Sequence, residues 1–115
     1  MSVSISHSIP AATDIHIKDI SGLWEVIRIS RGDRVEYPWI GNRFKYSFQP
    51  EMNFLCLQNG HNSTGTWKLH ERILETQKRY SIILNDTFEY TILDLDEDEI
   101  TLSDHINKYL LVRRL

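Results

Sequence analysis

Side chains that could bind a metal are scattered along this 115-residue sequence. The histidines do not pair at the short spacings typical of zinc sites, and no third group completes a ligand set. They are His7, His16, His61, His70 and His105. The sequence therefore predicts no zinc site.

Asp94, Asp96 and Asp98 reproduce the first oxygen ligands of a calcium-binding loop. The rest of the pattern is missing, because Glu99 stands where that loop needs glycine and His105 stands where it needs glutamate. A solvated hairpin turn is the interpretation that this stretch favours. We expect neither a metal ion nor any other cofactor.

Cys56 is the single cysteine, and it lies in an apolar stretch. A catalytic thiol needs a nearby base, and the sequence offers none that can be placed beside Cys56. There is also no nucleophile-elbow motif for a serine hydrolase. We therefore predict that the protein is not an enzyme. One cysteine excludes an internal disulfide and is typical of a reducing compartment, so a cytoplasmic location is expected.

The composition is that of one globular domain, with 41% hydrophobic and 25% charged residues. A formal net charge of −3 gives no general attraction to nucleic acid or to anionic membranes. No apolar run approaches the roughly 20 residues that span a bilayer, and the first residues lack the features of an export signal. We expect neither nucleic acid nor a membrane as a partner.

Short stretches of alternating apolar and polar residues indicate β-strands. The clearest has Phe44, Tyr46 and Phe48 on one face, and another runs from Leu23 to Ser30. About eight or nine such stretches recur, separated by turns, and no segment keeps a helical period over three turns. The sequence predicts an all-β fold, an up-and-down antiparallel β-barrel of about eight or nine strands.

The chain divides into residues 1–19 and residues 20–115. The first part is small and polar at its start, which predicts a flexible N-terminal segment. Ile15, Ile17 and Ile20 fit either an extended lead-in or a short helical turn. The second part is predicted to form a single barrel domain.

Gly22, Leu23 and Trp24 open the first strand, and Arg113 or Arg114 lies on the last. This pattern resembles that of the lipocalins and the wider calycin superfamily, and the strand-rich tail is similar to small bacterial lipocalin-like domains. The resemblance covers residues 20–115. It implies a tryptophan in the barrel floor under a late arginine, a contact of about 0.5–2 kcal/mol that joins the first strand to the last. Gly22, Trp24 and Arg113 are the expected closure residues.

An eight-stranded barrel is wide enough either to fill with side chains or to hold one small ligand. The residues expected to face its interior and bind a ligand are Trp24, Arg28, Phe44, Tyr46, Phe48, Trp67, Tyr80 and Tyr90. One hypothesis is an aromatic-lined pocket for a small, partly apolar ligand, entered past loops 31–43 and 59–64. The other is a filled barrel that acts as a non-catalytic interaction or dimerisation module.

Arg28 decides the charge of the predicted pocket. If Trp24 faces inward, a strand period of two places Arg28 inside as well, where a bound carboxylate could pair with it. An anionic ligand is therefore one hypothesis. In the alternative, a β-bulge turns Arg28 outward, or Glu75 or a tyrosine pairs with it.

The same register places Ile27 and Ile29 on the outer face of the first strand. Two exposed isoleucines need a cover, which is either the segment that contains Ile15, Ile17 and Ile20 or a second copy of the chain. We expect a monomer or a weak homodimer.

Overall fold

A computed structural model describes residues 14–114 of the chain. One short helix, α1, precedes a run of strands, and a single 3-10 turn at Ile40–Asn42 interrupts that run. The helix is α1 (Ile17–Ile20), and the strands are β1 (Gly22–Arg31), β2 (Arg34–Glu36), β3 (Lys45–Phe48), β4 (Asn53–Gln58), β5 (His61–Leu74), β6 (Gln77–Leu84), β7 (Phe88–Leu95), β8 (Glu99–Ser103) and β9 (Lys108–Arg114).

Eight of the nine strands form a closed antiparallel barrel. Strands β3 to β9 pair with their neighbours in chain order, and β1 pairs with β3 on one side and β9 on the other. The remaining strand, β2, pairs with the end of β1 as a short hairpin. The predicted all-β, up-and-down antiparallel barrel of eight or nine strands is confirmed.

The turn between β4 and β5 is tighter than the sequence analysis expected. Asn59 and Gly60 alone form it, with φ angles of 53° and 79°, the left-handed conformation that a two-residue hairpin turn requires. The chain enters β5 at His61. The prediction of a mouth loop over residues 59–64 is therefore wrong, since most of that range pairs with β4.

Large apolar side chains on the inner faces of the strands form the core. Trp24, Trp67, Ile82, Ile100 and Leu111 are each no more than 2% exposed. They come from five different strands around the barrel. Their burial removes the most apolar surface from water, and this is the main stabilising term for the fold.

The first and last strands are joined by a stacked cation. The Arg113 guanidinium lies 4.2 Å from the centre of the Trp24 ring. It also donates hydrogen bonds to the carbonyl oxygens of Ser21 (2.8 Å), Asp19 (2.9 Å) and Glu97 (2.7 Å). The contact therefore holds the N-terminal lead-in and the β7–β8 turn as well as the two strands.

Gly22 makes room for this arginine. Its φ angle is +127°, and a Cβ atom at this position would come within 2.6 Å of Arg113 Nη1. Any other residue would both strain the backbone and push the guanidinium off the indole ring.

The lead-in segment packs across the end of the barrel near the β7–β8 turn. Ile15 and Ile20 are buried, and the Trp24 indole N–H donates to the Ile20 carbonyl at 2.7 Å. Asp14 accepts hydrogen bonds from Lys78 at 2.6 Å and from the Tyr80 hydroxyl at 3.2 Å. The short helical turn, one of the two conformations left open, is the one present. Residues 1–13 of the predicted flexible segment lie outside the described residues.

Replacing Arg113 with alanine removes the stacked cation together with three charge-assisted hydrogen bonds. We expect the free energy of unfolding to fall by roughly 2–4 kcal/mol, measured by urea denaturation. Arg28→Ala is the matched control, because Arg28 makes no ion pair or side-chain hydrogen bond among residues 14–114. It should change stability by no more than about 0.5 kcal/mol. Equal losses in the two variants would contradict the role given to Arg113.

Candidate functional site

The barrel contains an apolar cavity of about 240 Å³ that opens toward solvent on one side. Aliphatic and aromatic side chains from six strands and the loop before β3 line it. The lining consists of Val26, Ile29, Phe44, Tyr46, Phe48, Ile82, Leu84, Tyr90, Leu102, Tyr109 and Leu111. No charged side chain is among these residues.

Four of the eight candidate ligand-binding residues line this cavity. Phe44, Tyr46 and Phe48 form one wall, where the rings of Tyr46 and Phe48 stack in parallel with centres 5.7 Å apart. Tyr90 reaches the cavity from β7 and meets the Tyr109 ring edge-on at 5.9 Å. Because the rings stack along the wall, they leave the centre of the barrel open.

The other aromatic candidates are buried away from the cavity. Trp24 lies beneath Arg113, and Tyr80 reaches the lead-in segment through Asp14. Trp67 packs against Phe48 and donates its indole N–H to the Gln49 carbonyl at 2.9 Å. These three residues stabilise the barrel, whereas a ligand in the cavity would not touch them.

A β-bulge in β1 corrects the prediction that Arg28 faces inward. The pairing of β1 with β9 shifts by one residue between Val26 and Arg28. Arg28 then lies opposite Leu110, and neither residue lines the cavity. Directly opposite residues share a face of the sheet, so Arg28 is on the outer surface. The bulge that we considered as the alternative is the arrangement present.

The same bulge reverses the expectation for the isoleucines that follow. Ile29 pairs with Tyr109, and both line the cavity. The prediction that Ile27 and Ile29 lie side by side on the outer face is therefore wrong. So is the idea of a cover over that pair, because Ile15 and Ile20 join the core instead.

Several cavity residues were not among the candidate ligand-binding residues. They are Val26, Ile29, Ile82, Leu84, Leu102, Tyr109 and Leu111. The period of two counted from Trp24 does place Val26 on the inner face, and the same period counted back from Arg113 places Leu111 and Tyr109 there. Ile29 could not be found in this way, since nothing in the sequence marks the bulge.

Three phenol groups supply the polarity of the cavity wall. The Tyr109 hydroxyl donates to Asp104 at 2.9 Å and accepts from the Asn107 side chain at 3.2 Å. Burial raises the pKa of Tyr46, and burial followed by the charge of Asp104 raises the pKa of Tyr90. All three pKa values move upward, so these groups stay protonated at neutral pH. They can donate or accept hydrogen bonds but are poor bases.

The predicted mouth loop over residues 31–43 contains the β1–β2 hairpin and the 3-10 turn that leads to Phe44. Glu25 anchors its far end. This carboxylate is 5% exposed and pairs with Arg43 at 3.4 Å and with Arg114 at 2.6 Å. One buried acid thus ties the loop to the last strand.

The acidic stretch before β8 is a hairpin turn. The Asp96 carboxylate accepts the backbone N–H groups of Asp98 and Glu99, each at 2.8 Å. Within residues 14–114, no three histidine, cysteine, aspartate or glutamate side chains come together as metal ligands. The described part of the chain also holds no helix with the length and hydropathy that a membrane span needs.

A closed eight-stranded antiparallel barrel with a Gly-x-Trp opening, a late arginine over the tryptophan and an internal apolar cavity defines a lipocalin-like β-barrel. A crystal structure of a lipocalin-like protein from Bacteroides uniformis superposes on this chain with a TM-score of 0.58. The two share 20% sequence identity, and the match covers 84% of this chain and 99% of the other. At this identity the likeness establishes the fold alone.

Sequence comparisons add no family to this structural match. No protein-family model matches the chain, and no curated protein matches it in sequence.

Glu25 makes the stability of the barrel depend on pH. Although burial alone raises the pKa of this carboxyl, the hydrogen bonds and charges of Arg114 and Arg43 outweigh burial and lower it below its usual value of 4.5. The Glu25 carboxylate therefore contributes its full stabilisation of the folded state above about pH 4.5. This stabilisation is lost as the pH falls through the lowered pKa of Glu25 in the folded state.

We expect Glu25→Gln to cost roughly 1–3 kcal/mol of unfolding free energy at pH 7, and clearly less at pH 3. Urea denaturation of the parent protein and of Glu25→Gln between pH 3 and pH 7 measures the difference in unfolding free energy. The effects of the other carboxyl groups are common to both proteins and cancel in this difference. A difference that stays constant across this range would show that the ion pairs do not set the pKa of Glu25.

Proposed function

We propose that the protein binds a small, largely apolar ligand inside its barrel. The observation that supports this proposal best is the cavity of about 240 Å³, which persists although seven large aromatic candidates lie within the barrel. Side chains in protein interiors normally pack without voids much larger than a water molecule. A retained apolar cavity of this size costs stability, so binding is the natural reason for keeping it.

Binding would gain free energy mainly by removing apolar surface from water, at about 25 cal/mol per Å². Phe44, Phe48 and Leu102 would contact the apolar part of the ligand. The Tyr90 hydroxyl makes no hydrogen bond to another side chain among the described residues, which leaves it available to a polar atom of the ligand. Orientation would then depend on one or two phenol groups.

The proposal describes a binding protein rather than an enzyme. The polar groups on the cavity wall are phenols with raised pKa values, and such groups do not serve as general bases at neutral pH. A cytoplasmic location is part of the proposal, since the buried free thiol of Cys56 suits a reducing compartment.

A neutral fluorescent probe tests the binding function. N-phenyl-1-naphthylamine becomes brighter in a dry apolar site, and we expect saturable binding of one molecule per chain. Ile29→Trp adds bulk to the cavity wall and should weaken binding at least tenfold.

Ile83→Trp is the matched control, because Ile83 lies on the outer face of β6, between the cavity residues Ile82 and Leu84. It should bind the probe as the parent protein does. No saturable binding by the parent, or equal binding by the two variants, would refute the proposal. Circular dichroism establishes that both variants are folded.

The second candidate function is weak self-association through the mouth loop. Tyr37, Trp39 and Ile40 are 68%, 74% and 70% exposed, an unusual concentration of large apolar side chains in one loop. The Trp39 ring lies against Gly41, where a Cβ atom would come within 2.3 Å of it. One side of the Trp39 ring thus packs on Gly41, and the rest of the ring is exposed to a partner.

Sedimentation velocity over a hundredfold concentration range tests this candidate. We expect the parent protein to shift from monomer toward dimer, and Trp39→Ser to stay monomeric throughout. Ile106→Ser provides the control, since Ile106 is 57% exposed in a different turn and should leave association unchanged. A parent protein that is monomeric at every concentration rules this candidate out.

A further inference from the structure

Two arginines face each other at the mouth of the cavity. Arg31 on β1 lies directly opposite Arg34 on β2 in the antiparallel register. Side chains directly opposite in such a pair share a face and lie close together, so like charges there destabilise the hairpin. Neither guanidinium forms a salt bridge or side-chain hydrogen bond with another of residues 14–114.

The arginine pair is continuous with the cavity. Ile29 lines the cavity, and Arg31 lies two residues further along the same strand, so both point to the same face. Arg31 and Arg34 line a depression at the barrel mouth that shares Ile29, Phe44 and Tyr109 with the cavity wall. A ligand could therefore contact the apolar wall at one end and the guanidinium groups at the other.

We propose that Arg31 and Arg34 bind the carboxylate head group of an amphipathic ligand whose apolar tail occupies the cavity. This inference rests on the proposed binding function and names the class of ligand. A carboxylate between two guanidinium groups accepts charge-assisted, bidentate hydrogen bonds. It also reduces the repulsion between the two cations in the hairpin.

The charged residues that line this depression leave it positive. Glu36 lies opposite Ile29 and is the one acidic lining residue against two arginines, so one positive charge is in excess. Asp33, in the turn between the two arginines, is not among the lining residues. Asp104, beside Tyr109, already accepts the backbone N–H groups of Ile106 (2.8 Å) and Asn107 (2.7 Å). Its own turn therefore stabilises its charge. The mouth can attract an anion although the whole chain carries a net charge of −3.

Decanoate and 1-decanol test the head-group site, because they share an apolar tail and differ in charge. Each would displace N-phenyl-1-naphthylamine from the protein at pH 7.4 and low salt. We expect decanoate to bind at least tenfold more tightly than 1-decanol. The preference should shrink in 0.5 M salt, which screens exposed charges.

The double variant Arg31→Ala/Arg34→Ala should lose the preference for decanoate while binding 1-decanol within about twofold of the parent protein. Arg28→Ala is the control, since it removes one positive charge from the outer face of the same strand and should keep the preference. If the double variant misfolds, it will lose 1-decanol binding as well, so this measurement separates misfolding from loss of the head-group site.

Equal affinity for the two ligands in the parent protein would overturn the head-group site, and so would a preference that survives in the double variant. Failure of both ligands to displace a bound probe would overturn it as well. In each of these cases the cavity still holds the neutral probe, so the proposed function stands. Only an absence of probe binding at the outset refutes both proposals together.

Discussion

Closure of the sheet between β1 and β9 is the constraint on which the rest of the structure depends. An open eight-stranded sheet of this length would expose two unpaired edges and the apolar faces of Trp24 and Leu111. The stacked pair of Trp24 and Arg113 closes it, and the same guanidinium fixes the lead-in carbonyls of Asp19 and Ser21. One side chain thus connects the barrel wall, its floor and the segment that covers one end.

The β1 bulge decides which side chains the interior receives. Without it, a basic residue, Arg28, would enter an apolar space at a large desolvation cost. With it, Ile29 enters instead and Arg31 follows on the same face at the mouth. The one extra residue therefore separates an uncharged cavity from a charged entrance along a single strand.

The fold could be predicted from local patterns because each of them repeats around the barrel. Alternation at Phe44, Tyr46 and Phe48, the turns that separate about eight or nine such stretches, and the Gly22–Trp24 opening all indicate the same architecture. The site could be predicted only in part. Periodicity identifies an inner face as long as a strand is regular, so it found Tyr46 and Tyr90 but misplaced Arg28 and Ile29, which follow the bulge. Whether the rings fill or line the barrel depends on their rotamers and tilts, which no sequence pattern contains.

Binding inside the cavity would depend on apolar burial, whereas binding at its entrance would depend on charge. This difference bears on ligand specificity. Inside, the wall offers apolar area and protonated phenols, so affinity there grows with the size of the ligand and is insensitive to its charge. At the mouth, Arg31 and Arg34 are exposed, so their attraction for an anion is modest and depends on ionic strength. Under the proposed function, a site divided in this way would take its affinity from the tail of a ligand and its selectivity from the head. Strand β2 is not part of the closed barrel, and the proposed head-group site would account for its position beside the entrance.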